Sequence, residues 1–184
     1  MKALIICGSG NTDGFTYAMC GNVAEGMRES GEEVEVLDLS SMDIAHCTGC
    51  HRCSEKGECV IDDDMGILMS KYSDADILFL ATPVRFSGPS SVIKTALDRF
   101  QPIWFGSERD HPILSAGILC GGSPDPKFSN IISIFKAFSI TAGMKWVGEL
   151  TIPGTDGMDS PEMVAKRSFD YGRDIVRWIR SECQ

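Results

Sequence analysis

Five short apolar runs recur along the chain, and each has the length of a buried β-strand. The runs cover residues 3–7, 33–39, 75–81, 113–120 and 145–152. The second run alternates polar and apolar residues, which is typical of a strand near the edge of a sheet. The run from Ala75 to Ala81 contains Ile-Leu-Phe-Leu-Ala without a break, and it predicts a strand that is buried on both faces.

Segments with apolar residues at every third or fourth position separate these strands and predict helices. The predicted helices end near Ser30, Tyr72, Phe100, Ile140 and Glu182. Three adjacent acidic residues, 62–64, are expected to cap the second helix, because carboxylates complement the positive end of a helix. The last helix is expected to turn Val164, Tyr171, Ile175 and Trp178 toward the core. Strands that alternate with helices indicate an α/β fold, in which a parallel sheet is covered on both faces and binds ligands beyond the carboxyl ends of its strands.

The composition describes one soluble domain. The chain has 184 residues, of which 43% are apolar and 23% are charged. It can therefore bury a hydrophobic core without disulfide bonds or metal sites to stabilise it. A formal net charge of −9 argues against nucleic acid and against an anionic membrane surface as partners. No run approaches the ~20 apolar residues of a membrane span. The apolar N-terminus is too short for a signal peptide, and eight cysteines without such a signal indicate a reducing, cytoplasmic location.

Three loops rich in small residues follow the first, third and fourth predicted strands. The first loop runs from Gly8 to Thr16, and its backbone N–H groups could close on a phosphate at the positive end of the next helix. It lacks the lysine of a nucleoside-triphosphate loop, and Asp13 takes the place of the third glycine of the dinucleotide fingerprint. An ordinary turn with a helix cap remains an alternative. The other two loops span residues 82–89 and 121–123.

Half of the eight cysteines lie in a compact loop at residues 46–61. Cys47, Cys50, Cys53 and Cys59 follow the spacing C-x2-C-x2-C-x5-C. Four soft thiolates suit a tetrahedral zinc ion or a [4Fe-4S] cluster, and the tight C-x2-C-x2-C run favours the cluster over zinc. A metal-free or redox-active thiol loop is the remaining alternative. The other cysteines, Cys7, Cys20, Cys120 and Cys183, are expected to fill apolar space.

Two segments are more apolar than the surface of a small monomer usually allows. They are the aromatic stretch from Phe100 to Phe105 and the predicted helix from Phe128 to Ile140. Such segments indicate a cleft or a subunit interface, so a homo-oligomer is expected.

With these loops in place, the chain resembles the flavodoxin-like NAD(P)H-dependent FMN reductases, and within them the iron-sulfur flavoproteins. The resemblance covers nearly the whole chain. It rests on Gly8 to Thr16, Cys47 to Met65, Thr82 to Gly88, Lys94 to Arg99, and Gly121-Gly122. It implies a single flavodoxin-like FMN-binding domain over residues 1–184, with a five-stranded parallel sheet in the order 2-1-3-4-5. It also implies a flavin-dependent oxidoreductase that takes electrons from NAD(P)H or a ferredoxin-like donor and passes them to a small acceptor.

The resemblance also assigns residues. The FMN phosphate would be held by Ser9, Asn11, Asp13, Phe15 and Thr16. The isoalloxazine ring would be bordered by Pro83, Val84, Phe86, Ser87 and Gly88, with Arg85 where the family usually has Tyr, and by Gly121 and Gly122 at its polar edge. Cys47, Cys50, Cys53 and Cys59 would ligate a [4Fe-4S] cluster near the flavin of a neighbouring subunit, in a homodimer or homotetramer. The alternatives are a cluster-free NAD(P)H-dependent FMN or quinone reductase and a non-catalytic flavin-binding or zinc-stabilised module.

Overall fold

A computed structural model describes residues 1–106, 110–158 and 160–182 of the chain. The strands are β1 (Lys2–Cys7), β2 (Glu33–Asp38), β3 (Ile77–Pro83), β4 (Leu114–Cys120) and β5 (Lys145–Ile152). The helices are α1 (Phe15–Glu29), α2 (Cys53–Lys56), α3 (Met65–Ser73), α4 (Ser91–Arg99), α5 (Gln101–Trp104), α6 (Phe128–Thr141) and α7 (Pro161–Glu182). Short 3₁₀ turns follow β2 and β5, at Leu39–Ser41 and Thr155–Gly157. Cys183, which was predicted to fill apolar space, lies outside the described residues.

The five strands form one parallel sheet in the order β2-β1-β3-β4-β5. This is the predicted flavodoxin-like order, and β2 lies at the edge as its alternating pattern indicated. The order reverses direction between β1 and β3, and parallel sheets bind ligands at such a switch point, beyond the carboxyl ends of the strands. The loops after β1, β3 and β4 therefore meet at this edge.

Both faces of the sheet are buried. Along β1, residues 3, 5 and 7 pack beneath α1 and α7, whereas residues 4 and 6 pack against α3, α4 and α6. Side chains alternate between the faces of a strand, so a strand covered on both sides must be apolar at every position. This explains why the sequence of β1 shows a continuous apolar run. In the described part of the chain, no helix is long and apolar enough to span a membrane.

Helices α1 and α7 cross in direct backbone contact. A Cβ atom added at Gly26 would lie 2.1 Å from the carbonyl oxygen of Phe169, and one added at Gly172 would lie 2.2 Å from the carbonyl oxygen of Val23. No Cβ atom tolerates such a distance, so each glycine lets the partner helix approach. Near this pair, the buried carboxylate of Glu32 binds the amino group of Met1 and the guanidinium of Arg180 at 2.9 and 2.6 Å.

Two expectations from the sequence differ from the structure. Asp64 stands at the N-cap of α3 but makes no capping bond with its side chain. Its carboxylate accepts from the N–H of Asp43 at 2.7 Å, whereas Asp63 accepts from the first-turn N–H of Met65 at 3.1 Å. Trp178 is 38% exposed instead of buried, and the Lys145 ammonium lies over its indole ring, 5.4 Å from the centroid.

Candidate functional site

The loop between β1 and α1 leaves the first turn of the helix available to an anion. Gly14 is the N-cap of α1, and no side chain caps the helix there. The polar groups ahead of it bind one another instead. Buried Ser9 donates from Oγ to the carbonyl of Asn11 at 3.0 Å, and Asn11 accepts from the N–H of Asp13 at 3.0 Å. Because uncapped N–H groups at a helix start attract negative charge, the loop fits a phosphate.

Gly8 is held tightly between β3 and the start of α4. Its N–H donates to the carbonyl of Ala81 at 2.8 Å, and its carbonyl accepts a short hydrogen bond from Ser90 Oγ. The same Ser90 oxygen accepts from the N–H of Ile93 at 3.3 Å and so caps α4. A Cβ atom at Gly8 would lie only 2.5 Å from Ile93 Cβ. The sequence did not indicate Ser90, which fixes the phosphate-type loop to the next helix.

The loop after β3 is a tight hairpin with a strained tip. Arg85 and Gly88 exchange backbone hydrogen bonds of 2.8 and 2.9 Å, while Phe86 and Ser87 have φ angles of 48° and 61°. Side chains other than glycine rarely adopt positive φ, and loops that do so often serve a ligand. Phe86 is fully exposed at the tip. Asn130 of α6 steadies the loop by donating to the carbonyl of Ser87 at 3.2 Å.

The loop after β4 is closed by the segment after β5. The N–H of Thr155 donates to the carbonyl of Gly121 at 3.1 Å, and that of Asp156 donates to the carbonyl of Gly122 at 3.2 Å. A Cβ atom at Gly122 would lie 2.1 Å from the carboxylate of Asp156. The structure thus adds Asp156 to the edge of the site, where the sequence indicated only the two glycines.

Three cysteines fill the core beneath these loops, as predicted. Cys7, Cys20 and Cys120 are buried, and Cys120 Sγ lies 3.0 Å from Thr16 Oγ1. Burial raises the pKa of Cys120, and a hydrogen bond with Cys7 together with burial raises that of Cys20 well above its usual range. The thiols of Cys20 and Cys120 are therefore neutral at neutral pH. Because the hydroxyl of Thr16 is engaged with Cys120, its backbone N–H is the group left for a ligand.

The cysteine loop curls around a cavity of about 140 Å³. All four cysteines, 47, 50, 53 and 59, line this cavity. Positive φ angles at Gly49, His51 and Gly57, of 65°, 59° and 71°, turn the backbone back on itself. Cys53 is buried, Cys59 is half-buried, and the other two thiols are exposed. Among the residues that the structure describes, no three His, Cys, Asp or Glu side chains are grouped closely enough to hold a metal ion.

The local surroundings shift the pKa of Cys50 and that of Cys53 in opposite directions. Hydrogen bonds from the backbone and then the side chain of Arg52, followed by Thr48, lower the pKa of Cys50 to about 7. Burial, followed by the neighbouring Cys59, Cys50 and Cys47, raises the pKa of Cys53. A thiolate is the form that binds metals, and the lowered pKa of Cys50 favours that form.

A buried ion pair fastens the cysteine loop to the body of the protein. Arg99 Nη1 and Nη2 donate to the two carboxylate oxygens of Asp63 at 2.6 and 2.9 Å, and Nη1 also donates to the carbonyl of Ala45 at 2.7 Å. Burial alone would raise the pKa of Asp63, but hydrogen bonds from Arg99 and from the backbone N–H groups of Ala45 and Met65 together lower it. The sequence placed Arg99 in a matching segment without indicating this role.

A five-stranded parallel sheet in this order, with three loops that meet at its switch point, is the flavodoxin-like architecture. Residues 1–148 match the family described as NADPH-dependent FMN reductase. The chain belongs to this family, in its iron-sulfur flavoprotein branch, and is an FMN-dependent oxidoreductase. The predictions of family, fold and enzyme class are thereby confirmed.

Similar proteins span most of the chain. A protein named Iron-sulfur flavoprotein, from Archaeoglobus fulgidus, is 33% identical over 187 residues, which cover 99% of this chain and 82% of that protein. Another of that name, from Methanocaldococcus jannaschii, is 29% identical over 143 residues, covering 76% and 74%. The structure of an NAD(P)H:quinone oxidoreductase from Methanothermobacter marburgensis has a TM-score of 0.76 at 19% identity, covering 95% of this chain and 96% of that one, and it supports the fold.

Proposed function

We propose that the chain binds FMN at the edge formed by the loops after β1, β3 and β4. The uncapped start of α1 carries this proposal, because its N–H groups can hold a phosphate without a lysine. Ser9 and Asn11 shape the loop, and Phe15 and Thr16 supply N–H groups of the first helical turn. The carboxylate of Asp13 would repel a phosphate, so we assign Asp13 a backbone role.

The ring of the flavin would lie along the other two loops. The hairpin residues Pro83, Val84, Arg85, Phe86, Ser87 and Gly88 would border one side, and Gly121 and Gly122 would border its polar edge. Arg85 is exposed and cationic, so it would favour negative charge on the ring or on a nearby acceptor. When bound, FMN would supply hydride or one-electron transfer, and the protein would position the ring and limit its contact with water.

We further propose a [4Fe-4S] cluster on Cys47, Cys50, Cys53 and Cys59. The four cysteines line one cavity, and soft thiolates are the preferred ligands of such clusters. Binding would require the exposed thiols of Cys47 and Cys50 to move inward, toward the buried Cys53. Electrons would then come from a ferredoxin-like donor or NAD(P)H and leave to a small acceptor.

The cluster can be tested in protein purified without oxygen. We expect four irons and about one FMN per chain in the wild type. Cys50→Ser should remove the iron and the cluster absorbance, because an alkoxide is a hard, poor ligand for iron, while FMN stays bound. Reduction by a ferredoxin-like donor should then collapse, and hydride transfer from a nicotinamide should persist. Cys20→Ala, in the core away from the loop, is the matched control and should keep its iron.

A cluster-free NAD(P)H-dependent reductase is the second candidate. The observation that favours it is the spread of the four thiols, which form no ready metal-binding group within residues 1–106, 110–158 and 160–182. Wild-type protein with bound FMN but without iron or sulfide would establish this candidate. Protein that binds zinc but no FMN at micromolar concentration would instead contradict the flavin proposal itself.

We also propose that the chain forms a homodimer or homotetramer through α5 and α6. An apolar groove between these helices is lined by Ile103, Trp104 and Phe138, and Trp104 is 66% exposed. Nearby on α6, Ile140 is 78% exposed. Monomeric proteins seldom leave such patches in water.

Light scattering at micromolar concentration tests the oligomer. Wild-type protein should have at least twice the mass of one chain, and Ile140→Glu should lower that mass by placing a charge in the interface. Ile67→Glu is the matched control, because Ile67 is also exposed, at 53%, but lies on α3. A monomeric wild type would refute the proposal.

A further inference from the structure

Arg99 lies on the wall of the cysteine cavity, together with Asp98. It also lines a neighbouring cavity of about 350 Å³, and Cys59 lines both. The side chain of Arg99 is 0% exposed and that of its partner Asp63 is 5% exposed. Burying two charges is costly unless they are paired and hydrogen-bonded, as these are. A buried pair beside a set of candidate ligands therefore needs an explanation beyond the anchoring of a loop.

Among the described residues, one nitrogen of this guanidinium has no hydrogen-bond partner. Nη1 and Nη2 donate to Asp63 and to the carbonyl of Ala45, whereas Nε is buried and has no hydrogen-bond partner in the described part of the chain. A buried donor without a partner is destabilising, and such groups often serve a ligand that completes the site. Cys59 and Arg99 line both cavities, so a sulfur atom lies beside this guanidinium.

We propose that Arg99 is a positioning residue that donates through Nε–H to sulfur in the cysteine cavity, and that the balance of charge between Arg99 and Asp63 sets the reduction potential there. This inference rests on the proposed cluster. One-electron reduction of a thiolate-bound cluster adds one negative charge. A fixed guanidinium favours the reduced form, and hydrogen bonds to sulfur act in the same direction. The carboxylate of Asp63 acts in the opposite direction.

The two partners should therefore shift the potential in opposite directions. Arg99→Gln removes the cation and should lower the reduction equilibrium constant about tenfold, which is about 59 mV for one electron. Asp63→Asn leaves the cation uncompensated and should raise the constant by a similar factor. Arg99→Lys keeps the charge but lacks the Nε–H group, so its shift should be smaller than that of Arg99→Gln. Lys71→Gln removes an exposed cation on α3 and should leave the potential unchanged.

Anaerobic redox titration with a chemical reductant, followed by electron paramagnetic resonance, gives the potential independently of enzyme activity. Iron content and the melting temperature of each variant are measured beside it. Opposite shifts for Arg99→Gln and Asp63→Asn support the inference, because a role in loop anchoring alone would lower iron content in both variants without opposite potentials.

Three results would overturn it. Shifts in the same direction, or no shift, in variants that retain iron would contradict the inference and leave the cluster proposal standing. Loss of iron from all three variants, Arg99→Lys included, would assign the pair to loop folding alone. A wild type without iron would overturn the cluster proposal and this inference together.

Discussion

Replacing Gly8 by alanine tests how tightly the phosphate-type loop is held. The new Cβ atom would lie 2.5 Å from Ile93 Cβ and 3.1 Å from the carbonyl oxygen of Ala81. Carbon atoms in contact normally lie about 3.5–4.0 Å apart, so the loop and α4 must separate by about 1 Å. Neither side yields easily, because Gly8 is bonded to β3 through its N–H and to Ser90 through its carbonyl.

The cost follows from these contacts. Overpacking of this kind costs about 1–3 kcal/mol, and each hydrogen bond that breaks adds about 0.5–1.5 kcal/mol. We expect the free energy of unfolding to fall by about 2–4 kcal/mol, within the 5–15 kcal/mol of a typical domain, so the variant should still fold. Displacing the N–H groups at the start of α1 should also weaken FMN binding at least tenfold, since one lost charge-assisted hydrogen bond is worth about 1.5–3 kcal/mol.

Urea unfolding followed by circular dichroism measures the stability, and quenching of flavin fluorescence measures FMN affinity. Gly10→Ala is the matched control in the same loop, because nothing lies within 4 Å of a Cβ atom at Gly10. The control should stay within about 0.5 kcal/mol of the wild type. If Gly8→Ala proves as stable as Gly10→Ala and binds FMN equally well, the contact with Ile93 does not hold the loop in place.

Two further predictions concern the opposite face of the sheet. Gly172→Ala should lower the free energy of unfolding by about 1–3 kcal/mol, because its Cβ atom would lie 2.2 Å from the carbonyl oxygen of Val23. The control Gly21→Ala has open space around its Cβ atom and should raise the free energy of unfolding by up to about 1 kcal/mol. Equal effects of the two substitutions in chemical denaturation would contradict this prediction. Burial would raise the pKa of Glu32, but hydrogen bonds from the amino terminus and Arg180 outweigh burial and lower it. The Glu32 carboxylate therefore stabilises the fold fully above its unfolded pKa of about 4.3, and this stabilisation is lost as the pH falls through the lower folded pKa. The stability lost in Glu32→Gln should therefore be larger at about pH 7 than in acid below the folded pKa of Glu32, and a gap that is independent of pH would refute the assignment.

Periodicity was enough to predict the strands, the helices and the α/β class because it is a local signal, whereas the strand order 2-1-3-4-5 was predicted from the family resemblance. Apolar runs gave all five strands, and the alternating run identified the edge strand β2. The small-residue loops after β1, β3 and β4 meet at one edge, since parallel strands share the direction of their carboxyl ends. The residue-level FMN and cluster assignments stay predictions.

What the sequence could not indicate depends on contacts between distant segments. Arg99 lies in the last turn of α4. A basic residue there usually stays on the surface and interacts favourably with the negative end of the helix dipole. The burial of Arg99 follows from pairing with Asp63, 36 residues away, and no periodic pattern records that pairing. The three adjacent acidic residues, 62–64, were interpreted as helix caps because the pairing of Asp63 with Arg99 leaves no signal in the sequence. Asp156 likewise reaches the site only because the segment after β5 folds over Gly122.

Helix α4 connects the two candidate sites. Ser90 at its N-cap binds the phosphate-type loop, and Arg99 in its last turn binds the cysteine loop through Asp63. Nine residues at about 1.5 Å each separate these anchors by about 13 Å along the helix axis. Ile93 and Ala96 are fully buried between them, so α4 is fixed against the sheet and the separation cannot change readily. Substitutions that leave α4 in place should therefore affect one site, as Cys50→Ser is expected to do. A substitution that tilts α4 should disturb flavin affinity and the cysteine cavity together.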